Sequence, residues 1–450
     1  MNEGARQAGI FALALCLRWG LALLLFAFMG SDGFFGTDSR GFHGWVAEYV
    51  DRIHAGKVHG WDWLGPNVSL LPLPSWLWAL NGLAFGGHAA LTSVLCQGLL
   101  DSGTCVLVYL TAREIDPRYA APAGIAAAVN PTQVVMANLY YTDPIFLFFL
   151  ALALLGAIRW LNQPAWRPAL LIGAGFGGAM LCRVVLAPWA VFVVAYLVIV
   201  LVFQRRLQGR HLTQLLGVTL IAAACTAPII ARNHANTGEW ILTTQTGAHS
   251  AFWVVPLVMQ ARDGTAWERG AATMKQRVEA RYGPDTEDIL ENSRRQTAVA
   301  REALAELGIW SVAKAWLYGA AINLGAPVAT IFPPLAQLPR TGFFATPGDS
   351  VPGKAFNFLF RSDNAIYSWT TVLGILGVAA FRLVQLRGAI GLLGQRRHWP
   401  VALLMLSWIA FILLVSGPIA SPKYRLPIEP VLMVLLAVGY CALRDRGRFR

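Results

Sequence analysis

Residues 184–203 read VVLAPWAVFVVAYLVIVLVF, an apolar run without a single charged side chain. A transmembrane α-helix needs about 20 predominantly apolar residues to cross the hydrocarbon core of a bilayer. Runs of similar length recur along the chain, beginning with residues 10–30. The sequence therefore predicts several transmembrane α-helices, because only helices and closed barrels satisfy all their backbone groups in lipid.

The composition agrees with a membrane protein. Hydrophobic residues make up 56% of the 450 residues and charged residues 13%, and the mean hydropathy is +0.52. Soluble domains carry about 25% charged residues, so the composition excludes a soluble enzyme, a disordered chain and a secreted disulfide scaffold. The formal charge of +12 indicates cytoplasmic loops rich in arginine rather than a nucleic-acid surface.

Charge also decides between alternative topologies. Ten spans with both termini in the cytoplasm place the arginine-rich short loops and the tail 444–450 on one side, as the positive-inside rule requires. The apolar stretches 69–86 and 311–335 are ambiguous. If 69–86 alone were counted as a further span, every loop from 113 to 211 would lie on the opposite side of the membrane. We therefore place both at the outer interface or as re-entrant elements. The predicted spans are 9–30, 88–112, 120–138, 144–161, 168–182, 184–203, 212–231, 366–386, 400–417 and 428–443.

This topology predicts an all-α polytopic bundle divided into three parts. An N-terminal transmembrane module, 1–231, includes an outer loop at 31–68 that is expected to form interfacial helices. A periplasmic insert, 232–365, follows, and its mixed-charge stretch 260–306 is typical of solvent-exposed helices. The C-terminal transmembrane helices occupy 366–450.

The first outer loop carries the most informative polar residues. Asp38 lies about one turn beyond the first span, with Arg40 and His43 close behind it in the sequence. A carboxylate at this edge of the membrane can act as a general base that accepts a proton from a hydroxyl group. Asp is also a favoured residue at the N-cap of a helix, so a capping role for Asp38 is an equal alternative, compatible with the first.

A second carboxylate, Asp143, stands at the outer end of the third predicted span, beside Tyr141 and before Pro144. Proline suits the first turn of a helix, so Asp143 or its neighbour Thr142 can serve simply as an N-cap. The functional alternative is that Asp143 faces Asp38 across a shared outer cavity, where it orients a substrate or binds a divalent metal ion together with Asp38.

Cationic residues on the same face are the expected partners of a phosphate group. Charges this close to the hydrocarbon core are costly and indicate function by default, although a single arginine can also extend to lipid headgroups. Asp101, inside the second span, is interpreted as a contact between helices. The candidate phosphate-binding residues are Arg183, Arg232, Lys423 and Arg425, with Tyr424 between the last two.

Other patterns exclude competing functions. Gly173, Gly175 and Gly178 match a dinucleotide-binding fingerprint in letters only, because they lie inside a predicted span without a preceding strand. They are interpreted as glycines of helix packing. The chain has no nucleotide-binding loop of the Gly-rich Lys-Ser/Thr type and no array of histidines and cysteines at zinc spacing.

Short motifs follow one another along nearly the whole chain. They are Thr37-Asp38-Ser39-Arg40, Leu71-Pro-Leu-Pro-Ser-Trp-Leu-Trp78, Tyr141-Thr-Asp-Pro144, Leu181-Cys-Arg183, Arg232-Asn233 and Lys423-Tyr-Arg-Leu-Pro427. In this order they resemble the motifs of the type C glycosyltransferase superfamily. The resemblance is to the branch of protein O-mannosyltransferases, lipid A aminoarabinose transferases and lipopolysaccharide-core transferases.

The resemblance implies an inverting glycosyltransferase in the bacterial inner (plasma) membrane with its active site facing the periplasm. The implied donor is a polyprenyl-phosphate-linked sugar and the acceptor a hydroxyl of a glycan, lipid or protein, with Asp38 as the catalytic base. Membrane lipid is a further partner, nucleic acid is not, and the only cofactor considered is a divalent metal ion. A transporter or flippase of lipid-linked sugars is the main alternative.

Overall fold

The computed structural model describes residues 2–36, 38–67, 69–339, 341, 343 and 346–447, and these residues contain α-helices and short 3-10 or π-helical turns but no strand. This confirms the predicted all-α class. The α-helices are α1 (Glu3–Met29), α2 (Ser39–His54), α3 (Pro72–Phe85), α4 (Ala89–Ile115), α5 (Pro117–Val129), α6 (Pro131–Ala137), α7 (Asp143–Asn162), α8 (Trp166–Met180), α9 (Leu186–Phe203), α10 (Gly209–Thr237), α11 (Thr246–His249), α12 (Val255–Asp263), α13 (Trp267–Tyr282), α14 (Ile289–Leu307), α15 (Ile309–Gly325), α16 (Pro333–Ala336), α17 (Val351–Phe360), α18 (Ala365–Leu393), α19 (Trp399–Ser416), α20 (Pro422–Arg425) and α21 (Glu429–Gly447).

Eight helical segments of the described chain are long and apolar enough to cross a membrane, and each overlaps one of the ten predicted spans over nearly its whole length. The chain is a multi-pass membrane protein. The other two predicted spans form shorter helices inside the bundle. The stretch 120–138 is divided into α5 and α6, and 168–182 corresponds mainly to α8, which has 15 residues.

The division between α5 and α6 follows directly from Asn130 and Pro131. Pro131 occupies the first turn of α6, where its missing N–H is not needed. The side chain of Asn130 accepts hydrogen bonds from the backbone N–H groups of Thr132 and Gln133, at 2.9 and 3.4 Å, and so caps α6. The break directs the chain out of α6 and into the loop that precedes Asp143.

Helices α7 and α8 pack closely because glycines line their contact. A Cβ atom at Gly175 would lie 2.6 Å from the backbone nitrogen of Ala153, and one at Gly178 would overlap the ring of Phe149. These glycines therefore allow the helix backbones to approach, as small residues do in membrane bundles. The interpretation of this motif as helix packing is consistent with these contacts.

The two ambiguous apolar stretches contain α3 and α15. α3 packs against α2 and α4, and it continues into α4 through a single 3-10 turn, so that Pro72–Ile115 forms one apolar helical segment. α15, with 17 residues, packs against α12, α18, α19 and α20. The chain then continues through a 3-10 turn, Val328–Thr330, into α16. Their placement relative to a membrane stays a prediction.

The predicted insert contains a small core of its own. Helices α11 to α14 pack around buried side chains that include Val255, Met274, Val299 and Ala303. α13 and α14 account for most of the mixed-charge stretch, and their exposed faces carry ion pairs such as Arg277–Glu306. The expected solvent-exposed helices are therefore present, while the division of the chain into three parts remains a prediction.

Candidate functional site

Asp38 immediately precedes α2, in the position of an N-cap, but its side chain makes no capping hydrogen bond. Its backbone oxygen accepts the N–H of Phe42 at 3.3 Å. The carboxylate instead accepts a hydrogen bond from the Lys423 ammonium, with Nζ and Oδ2 2.6 Å apart. The side chain remains 40% exposed, so Asp38 is available to a ligand. Its neighbour in the motif, Thr37, lies outside the described residues.

Lys423 lies at the centre of the candidate site. It stands in α20, whose start is capped by the Ser421 hydroxyl, and its side chain is 13% exposed. Its Nζ lies 4.3 Å from the ring centroid of Tyr141 and 5.8 Å from that of Tyr424. An ammonium held over aromatic rings and beside a carboxylate is stabilised in its charged form. Lys423 therefore connects the first outer loop to the loop before α7.

Asp143 begins α7 and is buried, with 1% of its side chain exposed. Its Oδ1 accepts a hydrogen bond from Arg183, whereas its Oδ2 is buried without a hydrogen-bond partner. The Asp143 carboxylate also acts electrostatically on Lys423, as Asp38 does. The two predicted aspartates thus share Lys423 as a neighbour, and they belong to one group of charged side chains.

Arg183 reaches Asp143 from the tight turn between α8 and α9. The backbone N–H of Arg183 bonds to the carbonyl of Ala179 at 2.9 Å, and the carbonyl of Leu181 accepts the N–H of Leu73 at 3.2 Å. The turn is therefore attached to the start of α3. Arg183 is 24% exposed, which leaves part of its guanidinium open to a ligand.

Tyr141 completes this group. Burial raises the pKa of its hydroxyl, and the nearby Lys423 ammonium only partly opposes this effect, so Tyr141 is neutral at physiological pH. A Cβ atom at position 36 would collide with the Tyr141 hydroxyl. Gly36 is thus required for the contact of the first outer loop with Tyr141, a role that sequence reasoning missed although Gly36 directly precedes the acidic motif.

Two predicted residues of the first outer loop have other partners. Arg40 is exposed, pairs with Asp32 at 2.9 Å and lies over the ring of Phe35. His43 packs against the rings of Phe35 and Tyr140, with centroids 5.0 and 5.5 Å apart, and burial lowers its pKa so that it is neutral at pH 7. Their predicted substrate contacts stay predictions, because both side chains are used in the folding of the loop.

Arg232 also contacts the first outer loop, but at its far end, near Leu64. It is 2% exposed, and its guanidinium donates to the carbonyl of Leu64 at 3.1 Å and to the side chain of Asn233 at 3.0 Å. One of its terminal nitrogens, Nη2, is buried without a partner. Arg232 therefore anchors the end of the first outer loop and retains one terminal nitrogen without a hydrogen-bond partner.

Each guanidinium nitrogen of Arg425 is bonded to the protein. It bonds to Glu429 at 2.6 Å, to the carbonyls of Asn323 and Ala326, and to the hydroxyl of Thr132. It is 1% exposed. These bonds fix α20, and with it Lys423, against α6 and α15. A direct contact with substrate stays a prediction, whereas the positioning role follows from the contacts.

His249 was not identified from the sequence. It lies in α11, which is held by a bond from the Gly247 N–H to the Ser293 hydroxyl at 3.1 Å. Burial and the positive charge of Arg183 lower the pKa of His249. The insert therefore places an imidazole near the Asp143–Arg183 pair. No local sequence pattern signals this proximity, because it depends on how the insert packs.

Asp38 and Asp143, the two aspartates predicted to bind a metal ion, both contact cationic side chains. Asp38 and Asp143 each already bind a cationic side chain, and a metal ion would have to compete with both cations. In the described part of the chain, no three His, Cys, Asp or Glu residues are grouped so that they could hold a metal ion. The metal role of Asp38 and Asp143 stays a prediction.

The chain is similar to one family model and to solved membrane-protein structures. A family model described as dolichyl-phosphate-mannose-protein mannosyltransferase matches residues 67–231, a stretch that includes Asp143 and Arg183. The apo oligosaccharyltransferase of Archaeoglobus fulgidus has a similar structure, with a TM-score of 0.51 and 13% identity over 98% of this chain and 51% of that one. The chain thus spans about half the length of that protein, and the likeness shows the fold.

A second solved structure, ArnT from Cupriavidus metallidurans bound to undecaprenyl phosphate, has a TM-score of 0.38 and 14% identity over 94% of this chain and 77% of that one. No curated protein sequence matches the chain. The family model and the fold together confirm the predicted resemblance to the type C glycosyltransferase superfamily. They also support the predicted class of protein, a membrane glycosyltransferase.

Proposed function

We propose that the chain transfers a sugar from a polyprenyl-phosphate-linked donor to an acceptor hydroxyl, with inversion, at the periplasmic face of the inner membrane. The observation that carries this proposal is the group of Asp38, Lys423, Asp143 and Arg183, which combines a partly exposed carboxylate with two cations. The family model, whose description names a lipid-phosphate sugar donor, matches the segment that supplies two of these residues.

Asp38 is the proposed general base. The acceptor oxygen attacks the anomeric carbon of the donor while Asp38 accepts the hydroxyl proton, and the bond between that carbon and the phosphate oxygen breaks. A single displacement of this kind inverts the configuration at the anomeric carbon. The 40% exposure of Asp38 supports this role, because a base must come within hydrogen-bond distance of the proton that it takes.

Lys423 and Arg183 are proposed to bind the phosphate of the donor and to stabilise the negative charge on the departing polyprenyl phosphate. Both are partly exposed, at 13% and 24%. Preorganised charges directed at a developing negative charge are among the strongest contributions to catalysis. When phosphate binds the Lys423 ammonium, Asp38 is released from this cation and becomes free to accept a proton.

Asp143 is proposed to orient the sugar. Its Oδ2 is buried and lacks a donor, and a buried acceptor without a partner is costly. A hydroxyl of the donor sugar would satisfy it while Arg183 holds Oδ1. The insert, which places α11 near Arg183, is proposed to cover the site and to help select the acceptor, which is a glycan, a lipid or a protein.

The direct test incubates the purified full chain with radiolabelled polyprenyl-phosphate sugars and a crude acceptor fraction. We expect release of free polyprenyl phosphate together with a labelled acceptor. Binding or movement of the intact donor across vesicles without cleavage would contradict the proposal and favour a transporter or flippase of lipid-linked sugars.

A further inference from the structure

A cavity of about 510 Å³ lies between α5, α18 and α21, beside the turn at 327–329. Its walls are largely apolar and include Leu373, Phe381 and Leu436. Leu373 and Phe381 are 62% and 53% exposed, although they belong to a candidate membrane span. An apolar surface exposed on such a helix faces lipid, so the cavity is open to the hydrocarbon region of the bilayer.

One wall of this cavity is cationic. Arg425 and Arg382 both approach Glu429, at 2.6 and 3.9 Å, and Asn130 donates a further hydrogen bond to the same carboxylate at 2.9 Å. Among the described residues, Glu429 is the one carboxylate in ion-pair contact with these two arginines. Two cations therefore share one anion, and the wall carries one uncompensated positive charge in an apolar setting, where such a charge is expensive.

The same wall contains an unused hydrogen-bond donor. Gln385 borders the cavity and is 3% exposed. Its side-chain oxygen accepts a bond from Arg382, whereas its Nε2 is buried without a partner. A buried donor without an acceptor costs free energy. An anionic oxygen placed in the cavity would satisfy the Gln385 amide and the excess positive charge together.

This wall is separate from the charged group around Asp38. Lys423 and Arg425 belong to the same short helix, α20, but Lys423 contacts Asp38 and Arg425 borders the cavity. Asp38, Asp143 and Lys423 do not line the cavity. A molecule held against Arg382 would thus not be presented to the proposed base, so a lipid bound here is a resident rather than a reacting one.

We propose that this cavity binds an anionic membrane phospholipid, with its phosphate against Arg382 and Gln385 and an acyl chain along the apolar wall of α18 and α21. Basic pockets between transmembrane helices recognise anionic headgroups in this way. Because Arg425 also fixes α20, the bound lipid would stabilise the segment that carries Lys423.

The test measures lipid retention and does not depend on glycosyl transfer. The purified full chain is reconstituted with phosphatidylcholine and phosphatidylglycerol, returned to detergent, and weighed by native mass spectrometry. Gly377 borders the cavity, and a Cβ atom there meets nothing within 4 Å, so Gly377→Leu fills the cavity without a backbone clash. Gly391, on the same helix, has equally open surroundings and lies outside the cavity, which makes Gly391→Leu the matched control.

We expect the wild type and Gly391→Leu to retain phosphatidylglycerol about tenfold over phosphatidylcholine, a ratio that corresponds to about 1.4 kcal/mol. Gly377→Leu should lose this retention, and Arg382→Gln should bind both lipids alike. Equal retention of the two lipids by the wild type, or unchanged retention by folded Gly377→Leu, would overturn the proposal. Recovery of copurified polyprenyl phosphate instead of phospholipid would also overturn it.

Discussion

Two sets of carboxylate–cation pairs in this molecule differ in how completely they are bonded. Arg18 and Asp101 form a pair inside the bundle, at 2.6 Å and with 0% and 1% exposure. Every nitrogen of the Arg18 guanidinium is bonded, to Asp101, to Cys105 and to backbone carbonyls that include Ala127 and Ala128 at the end of α5. This pair joins α1, α4 and α5, and its guanidinium has no nitrogen left for a ligand.

The ion pairs of Asp38 and Asp143 are incomplete by comparison. Asp38 is 40% exposed although it contacts Lys423, and one oxygen of Asp143 has no partner. Charged groups that are costly to bury and yet not fully bonded are characteristic of functional sites. The two kinds of ion pair therefore differ in their unused hydrogen-bonding capacity, which is what a ligand needs.

The largest effect on transfer is expected from Asp38→Asn. The amide keeps the size of the side chain but cannot accept the proton, so turnover should fall by about 10²-fold or more, as for loss of a general base. Thermal unfolding should stay near that of the wild type. The matched control is Asp32→Asn, an exposed carboxylate of the same loop, which should retain turnover. Near-normal turnover in Asp38→Asn would remove the base from the account.

A smaller loss is expected from Lys423→Met. Arg183 still faces the phosphate in this variant, so we expect turnover to fall by about 10- to 100-fold, at the lower end of the range for lost electrostatic stabilisation. Lys423→Arg should recover most of the rate because it restores the charge. Steady-state kinetics would show whether kcat falls. A loss of thermal stability without a loss of kcat would show that Lys423 stabilises the fold and does not act on the phosphate.

The Arg18–Asp101 pair should show the opposite behaviour. Arg18→Met leaves Asp101 buried without its partner, which typically costs about 3–5 kcal/mol of stability. The free energy of unfolding in detergent should fall accordingly, and the double variant Arg18→Met/Asp101→Leu should recover part of it. Correctly folded protein of either variant, assayed at low temperature, should transfer sugar within about threefold of the wild type, far less than the loss from a missing base.

The smallest effect concerns pH. The pKa of His249 is lowered by burial and by Arg183, so the folded state favours the neutral imidazole, and its stabilising contribution is present above the unfolded pKa. As the pH falls from about 7 to about 5, His249 gains a proton and repels Arg183. The protection factors of residues 246–254, which are corrected for the intrinsic pH dependence of hydrogen exchange, should therefore fall at low pH, and His249→Gln should abolish this fall. Identical profiles for the two proteins would contradict this.

The sequence predicts the all-α class and eight of the spans, and it brings forward the charged residues that the structure groups together. Long apolar runs identify the spans, and Asp38, Asp143, Arg183 and Lys423 were recognised because charged residues at span ends are unusual. The break at Asn130 shortened one predicted span, because a capping side chain and a proline outweigh apolar character there. The hydrogen bonds of Arg425 and the proximity of His249 to Arg183 depend on packing between distant segments, which no local sequence pattern predicts.

An experimental structure of the full chain with a non-reactive polyprenyl-phosphate sugar analogue would show whether Asp38, Lys423 and Arg183 act on one donor molecule. Our account predicts the phosphate in contact with both the Lys423 ammonium and the Arg183 guanidinium, and the anomeric carbon facing Asp38. A phosphate bound at Arg232, or against Arg382 in the lipid-facing cavity with Asp38 still paired to Lys423, would contradict it.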